Sequence, residues 1–498
     1  MRARMSALAL VVCIAVLLLT LGVPTAAARG TSGPAIAGGA GHTIVVRPNG
    51  IDDTANIQAA LNQCTTPGPP CTVQLVKGTY YISQVAVYGF QGSFIGAGQG
   101  ITIVQGLPNL PPPNSAYDTA TVPFWAGLPG PSNPWPVLFT FVGGTFGISG
   151  MTIRDTSPNP VQGWVFFGLT YTGLWAMIEI TGEAGQPLAA TVHDLTLIGG
   201  AGDIGGFNNG EMVAVQGILL PSGWTSAYGD QIPLSGTFSV TKTTFYNASS
   251  AVLVENLLNA AGVACSNTVT NTLVATPVPF SVTSTPFAFV DLSNSQLRIC
   301  GNYVTNVPWG VAVIGYQSAN KADLLPSTVY VTGNVFRDLN FAGEGVFLWD
   351  EGATSTLSAV ISGNVMQTDL SCGCYGGPGD DSTIFTISLV SVTVEYNTLI
   401  SGAGIFAFFD PAVVIGNAVL GNIVGVGLYS VPSASVVGNV ITNSATYGID
   451  VVAGSSGSTI AYNYVKNSGL YDLYWDQTGT GDHWYGNIYA TSSPAPLP

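Results

Sequence analysis

The run Ala412-Val413-Val414-Ile415-Gly416-Asn417-Ala418 returns 22 residues later as Ala434-Ser435-Val436-Val437-Gly438-Asn439-Val440. A β-branched stretch leads into a glycine and an asparagine, and another apolar residue follows. The same setting recurs at Gly301-Asn302-Tyr303, Gly333-Asn334-Val335, Gly363-Asn364-Val365, Tyr396-Asn397-Thr398, Tyr462-Asn463-Tyr464 and Gly486-Asn487-Ile488. From Asn302 onward the intervals are 32, 30, 33, 20, 22, 24 and 24 residues. Periods of this size mark solenoids, in which each unit stacks only on its neighbours. Units of 20–24 residues with several short alternating strands leave no room for a helix. The pattern therefore predicts an all-β solenoid of parallel strands, one coil rising ~4.8 Å over the last. Asparagine suits the turn because it tolerates left-handed backbone angles and bonds to nearby backbone. Stacked copies can also bond to one another, so these asparagines read as structural. The intervals of 30–33 residues imply loops leaving the coils between Asn302 and Asn397. Loops on a rigid scaffold are where function concentrates.

Composition narrows the class. The 498 residues include 63 Gly, 31 Pro and 47% hydrophobic residues, yet only 7% are charged, against about 25% in an ordinary soluble domain. Disordered chains are charged and apolar-poor, so disorder is excluded. Glycine without a period of three excludes collagen. Eleven Lys+Arg against 26 Asp+Glu argue against nucleic acid, which requires clustered positive charge.

The first residues read as an export signal. Arg2 and Arg4 precede an apolar run over residues 7–23, and Ala26-Ala27-Ala28 supplies a small-residue cleavage site. Cleavage of residues 1–28 leaves 9 basic and 26 acidic residues, a net charge of −17. The mature chain is expected outside the cell, or in the periplasm where the cell has two membranes, with no membrane attachment after cleavage. Six cysteines remain: Cys64, Cys71, Cys265, Cys300, Cys372 and Cys374. An even number in an exported chain suggests disulfides. Cys64–Cys71 would close a Pro/Gly turn, and Cys265–Cys300 would join neighbouring coils. Cys372-Gly373-Cys374 is open to a tight bridge, a free pair or a metal site.

The stretch Asn49-Gly50-Ile51-Asp52-Asp53-Thr54-Ala55-Asn56-Ile57-Gln58-Ala59-Ala60-Leu61 reads as a short helix. Asp52 or Asp53 is placed to cap it, and Ile57, Ala60 and Leu61 form its apolar face. Lys77-Gly78-Thr79-Tyr80 and Phe94-Ile95-Gly96-Ala97-Gly98 follow. This order resembles the start of the pectin-lyase-like superfamily of right-handed parallel β-helices, and the Asn-turn coils resemble its generic repeat proteins. The resemblance implies a helix capping one end of a single β-helix domain over residues 43–490. Residues 106–136, with nine prolines, read as an excursion from the coils. Residues 491–498 read as a tail. The superfamily includes lyases, hydrolases, epimerases and non-catalytic binders, so it points to a fold rather than an activity.

Two surfaces emerge when the strand after each turn is aligned. If the first aliphatic residue points inward, the next points outward. One outward column is then Ala312, Phe347, Phe385, Phe406, Gly427, Asp450 and Tyr474; a second is Ile314, Trp349, Ile387, Phe408, Tyr429 and Val452. Exposed aromatics this dense need a partner or a cover. Flat rings stack on sugars, so Phe347, Trp349, Phe385, Phe406, Phe408, Tyr429 and Tyr474 are candidate substrate-binding residues; a covering loop or second subunit is the alternative.

The other surface is acidic. Asp350 and Glu351 lie in one expanded coil and Asp380 and Asp381 in the next. Paired carboxylates divide general acid and base work when their surroundings separate their pKa values, so these four are the candidate catalytic residues. Gly379-Asp380-Asp381 looks like the double aspartate of polygalacturonase-type hydrolases, but that family's Asn-x-Asp, Gly-His-Gly and Arg-x-Lys are missing. A solvated loop or a Ca²⁺ site are the other readings of the same acids. No cofactor is otherwise required. Uronate lyase chemistry needs basic residues, and Arg154, Lys242, Arg298, Lys321 and Arg337 are the few mid-chain ones. A strongly acidic chain would also repel a polyanion. The expected partner is a mainly neutral extracellular polysaccharide, bound and, with a carboxylate pair, hydrolysed. A non-catalytic adhesin or self-associating surface protein is the alternative, and a Ca²⁺-dependent lyase the third.

Overall fold

The computed structural model describes residues 41–65, 71–107, 137–155, 164–166, 169–171, 176–181, 188–199, 211–216, 218–219, 231–232, 234–247, 250–270, 286–307, 309–315, 325–339, 344–350, 356–368, 383–495 and 497. The expected signal peptide, most of the proline-rich excursion, Glu351, Cys372, Cys374, Asp380 and Asp381 lie outside the described residues.

Asparagine organises the coils. Asn267, Asn302, Asn334, Asn364, Asn397, Asn417, Asn439 and Asn463 are at most 1% exposed. The backbone N–H of each donates to the side-chain oxygen of the asparagine one coil on, at 2.9–3.0 Å. From Asn302 onward the side-chain amide donates to that same oxygen and also to a carbonyl of the preceding coil, as Asn364 Nδ2 does to Val331. Buried amides that would otherwise be unpaired are thus satisfied along the axis. The residue before most of these asparagines has positive φ, as at Gly416 (64°) and Gly438 (66°). Where tyrosine takes this place, at Tyr396 and Tyr462, the next coil supplies glycine, Gly416 and Gly486. A Cβ on Gly416 would meet the Tyr396 ring at 2.8 Å, and one on Gly486 the Tyr462 ring at 2.6 Å.

Each regular coil carries three strands. Glu344–Asp350, Leu357–Ser362 and Val365–Thr368 are followed by Ile384–Ile387, Ser391–Glu395 and Thr398–Ile400, then by Ile405–Phe408, Ala412–Ile415 and Ala418–Leu420. Each pairs in parallel with its counterpart one coil on, the first two in a 26-stranded sheet and the third in a 13-stranded one. The chain is a right-handed parallel β-helix. Antiparallel pairing is confined, among the described residues, to two short ribbons that leave the coils: Trp164–Phe166 with Leu169–Tyr171, and Ile218–Leu219 with Gln231–Ile232. Inward residues are mostly aliphatic in the later coils (Val346, Leu348, Ile405, Leu428, Val451), whereas Phe90, Phe94, Phe139, Phe141 and Phe146 fill the earlier ones.

The one helix among the described residues is Thr54–Asn62, with Ile57, Ala60 and Leu61 buried over the first coils. Its cap differs in detail from expectation. Asp53 holds the N-cap position, but its carboxylate accepts from the backbone N–H groups of Asn49 and Tyr81, tying the helix to the strand Gly78–Ile82. Asp52 Oδ1 accepts from Thr54 N instead. At the other end, Ser492–Ser493 pairs with Tyr471–Trp475, and Leu497 is buried. The closing residues therefore cover the last coil.

Among the described residues two cystines are present, Cys64–Cys71 and Cys265–Cys300, both as expected from the sequence. Cys265 and Cys300 are register partners on adjacent coils. Their separation of 35 residues gives a loop-closure stabilisation of about 4 kcal/mol. Cys265→Ser with Cys300→Ser is expected to lower the chemical denaturation midpoint correspondingly, with a smaller loss for the seven-residue pair. An unchanged midpoint would mean that the stacked coils alone restrain the unfolded chain.

Candidate functional site

Strand register assembles both aromatic columns. Ala312, Phe347, Phe385, Phe406, Gly427, Asp450 and Tyr474 are successive pairing partners, as are Ile314, Trp349, Ile387, Phe408, Tyr429 and Val452. Parallel pairing brings neighbouring rings near the coil rise. Phe347 and Phe385 stack at 5.4 Å and 8°, Phe385 and Phe408 lie at 5.0 Å, and Phe408 and Tyr429 stack at 4.7 Å and 14°. Trp309 extends the row at 5.5 Å from Phe347, and Tyr447 meets Tyr474 at 4.8 Å.

The rings are not equally open. Phe385 and Phe406 are 8% and 4% exposed, packed with Ala403 and Val424. They form the base of the row rather than its surface. Phe347, Trp349, Phe408, Tyr429, Tyr447 and Tyr474 are half-buried. Gly427 makes room for this arrangement: a Cβ there would stand 2.8 Å from Tyr429 and 3.0 Å from Phe406. The Tyr429 ring so placed donates its hydroxyl to Asp450 Oδ2 at 3.1 Å.

The acids behave differently from the sequence expectation. Asp350 is 2% exposed, and its Oδ2 accepts from the backbone N–H groups of Thr356 and Leu357 at 2.7 and 3.0 Å. It is tied to the start of the strand Leu357–Ser362 and is not on the outer surface. Two acids not weighed as functional stand out. Asp410 is fully buried, accepts from the Leu389 N–H, and leaves Oδ2 without a hydrogen bond. Burial pushes its pKa to about 7, against the Thr386 hydroxyl and Leu389 N–H, while the Asp350 charge pushes it further up. Asp450 is 4% exposed; burial raises its pKa to about 6, opposed by the Tyr429 hydroxyl and aided by Asp476. Asp450 stood in the outward column, and its position there was the available signal. The basic residues are dispersed: Arg154 bonds Gln105, and Arg298 lies over Tyr330 at 5.6 Å.

The family described as periplasmic copper-binding protein (NosD) matches residues 241–493, just over half of the chain. The chain belongs to the NosD family. That membership, with two cystines, places the protein outside the cytoplasm. No helix among the described residues is long and apolar enough to cross a membrane. No curated protein matches. Among solved structures, the NosD-family chain is similar to the catalytic unit of the GH87 α-1,3-glucanase from Streptomyces thermodiastaticus (11% identity, 92% of this chain, 71% of that one, TM-score 0.44). It is also similar to the tailspike protein of E. coli bacteriophage HK620 (15%, 89% and 76%, TM-score 0.49) and to the A-module of Azotobacter vinelandii mannuronan C-5 epimerase AlgE6 (14%, 90% and 96%, TM-score 0.36). No residue role passes from these proteins to this one.

The family's name raises copper, whose preferred ligands are thiolate, thioether and imidazole. The described residues do not fit such a centre. Their four cysteines are in cystines, and Met151, Met177 and Met366 are buried in the core. His42, His193 and His483 lie on the strands His42–Val46, Leu188–His193 and His483–Tyr485, and His193 pairs with Asp194 at 2.7 Å. No group of three or more His, Cys, Asp or Glu is set to hold a metal among the described residues.

Proposed function

We propose that this NosD-family β-helix binds a mainly neutral extracellular polysaccharide along its aromatic row. The supporting observation is the row itself: rings on successive coils with centroids 4.7–5.5 Å apart, Trp309, Phe347, Phe408 and Tyr429 half-open around the buried Phe385. The ring edges along this stacked ladder offer sugar rings an apolar surface at a regular interval. The net charge of −15 disfavours a polyanion and leaves neutral glycans as the better match. Hydrolysis gains no support from Asp350, whose carboxylate serves backbone N–H groups.

Binding to a panel of neutral and acidic polysaccharides, with soluble products analysed by mass, tests the reading. Phe408→Ala with Tyr429→Ala is expected to weaken binding of a neutral glycan at least tenfold, since each buried aromatic contributes about 1.5–3 kcal/mol. Unchanged affinity in the double variant, or no glycan retained by the parent, would overturn it. Unsaturated uronate products would instead identify a lyase. A shift from oligomer to monomer in the same variant would identify the row as a self-association face.

A further inference from the structure

Asp450 follows Gly427 and precedes Tyr474 in a column otherwise occupied by small or aromatic residues. One oxygen accepts from Tyr429; the other, Oδ1, is buried with no hydrogen-bond partner. A buried acceptor without a donor costs about 1–3 kcal/mol. The groups around it come from three coils: Tyr429 from the preceding strand, Tyr447 from its own, and Tyr471, Tyr474 and Asp476 from the next. None is cationic. Asp476 cannot serve as a donor, because its carboxylate accepts from Ala453 N, Thr478 N and the Thr478 hydroxyl.

We propose that Asp450 is the polar anchor of a sugar subsite in the aromatic row, its unpartnered Oδ1 accepting a hydroxyl of a neutral glycan while Tyr447 and Tyr474 part to hold the sugar ring. This rests on the glycan reading and adds to it a place and a recognition group. It also has a consequence that a purely apolar row lacks. Burial holds the Asp450 carboxyl up at about 6 in the free protein. A hydroxyl donating to the charged form favours that form and lowers this pKa on binding. By linkage, affinity must then rise with pH between about 5 and 7, tenfold for each unit by which the pKa falls. Asp476 is held below the usual carboxylate range by its hydrogen bonds, despite a burial penalty, so it stays charged across that window.

The test is calorimetric titration of the mature chain with cello-, xylo-, manno- and laminari-oligosaccharides between about pH 5 and pH 8. Parent affinity for one of them should rise about tenfold over that range, and Asp450→Asn should bind more weakly at the upper end with a flat profile. Carboxyl ¹³C shifts of the parent supply a measurement independent of the variant's folding: the Asp450 pKa should fall when the sugar saturates the protein. A flat parent profile, an unmoved Asp450 titration, or an Asp450→Asn profile that keeps the rise would overturn the anchor. If Phe408→Ala still weakened binding in that case, the aromatic row would stand without it. Absence of binding to every sugar at every pH would overturn both.

Discussion

Replacing Asn364 with alanine is expected to destabilise the protein by about 3–5 kcal/mol, the largest loss foreseen for a single side chain outside the apolar core. The size follows from what the amide holds. Its oxygen accepts both the backbone N–H and the side-chain amide of Asn334, and its own amide donates to Val331 O and to Asn397 Oδ1. Asn364 and Asn334 are at most 1% exposed, so no water replaces the lost partner. Alanine strands two donors on Asn334 and a carbonyl on Val331, each at roughly 1–3 kcal/mol before relaxation. Asn487 provides the contrast. It is only half-buried and ends the ladder, with Asn463 bonding to it but no asparagine beyond. Asn487→Ala should therefore cost well under half as much. Guanidinium denaturation of the two variants decides the matter. Equal losses would show that the turn conformation, not the buried ladder, carries the stability.

Much of this organisation was legible in the chain. The Gly-Asn and Tyr-Asn settings located eight ladder positions, because one physical requirement repeats at each: a positive φ followed by an inward amide. Asn267 was missed, since Ser266 precedes it in that left-handed position (φ 59°) where glycine or tyrosine was the cue. The columns were also legible, because period-two alternation and parallel register leave no freedom once one inward residue is fixed.

The same alternation could have placed Asp350. Val346 and Leu348 point inward, so Asp350, two residues further, does too. Reading it as an acid in an expanded coil gave chemistry priority over parity. Asp410 was harder, because Phe409-Asp410-Pro411 reads as an exposed turn. Only the stacking of turns shows that its side chain fills an inward position and caps the Leu389 N–H of the preceding coil. Which rings are open was not legible either: Phe385 and Phe406 are closed over by Ala403 and Val424, contributed by neighbouring turns rather than by their own strands.

Asp410 leads to the second large effect, a stability that falls as pH rises. Its carboxyl has an ordinary value of 3.8 and sits at about 7 in the folded protein, raised first by burial. Between those values the native state holds a proton that the unfolded chain has released. Stability then decreases with pH, since its slope follows the protons bound by the unfolded state minus those bound by the native one. The contribution is complete below about pH 4, is lost progressively as pH approaches 7, and is absent above it. At 1.36 kcal/mol per unit the total is on the order of 4 kcal/mol. The groups facing Asp410 are the Asp350 carboxylate, the Thr386 hydroxyl and the Leu389 N–H, with no cation to favour the charged form. Asp450, raised to about 6, adds a smaller loss of the same sign over a slightly lower range. Asp410→Asn keeps an oxygen for Leu389 and removes the titration. Denaturation midpoints measured from about pH 4.5 to pH 8 should fall steeply in the parent and much less in this variant, with the variant the more stable of the two above pH 7. Parallel profiles would mean that Asp410 is charged in the native state, its Oδ2 reached by water or a counter-ion. The remaining slope in Asp410→Asn then reports Asp450 together with Asp482, whose carboxyl burial also raises, and adding Asp450→Asn should flatten the midpoint further across the same range.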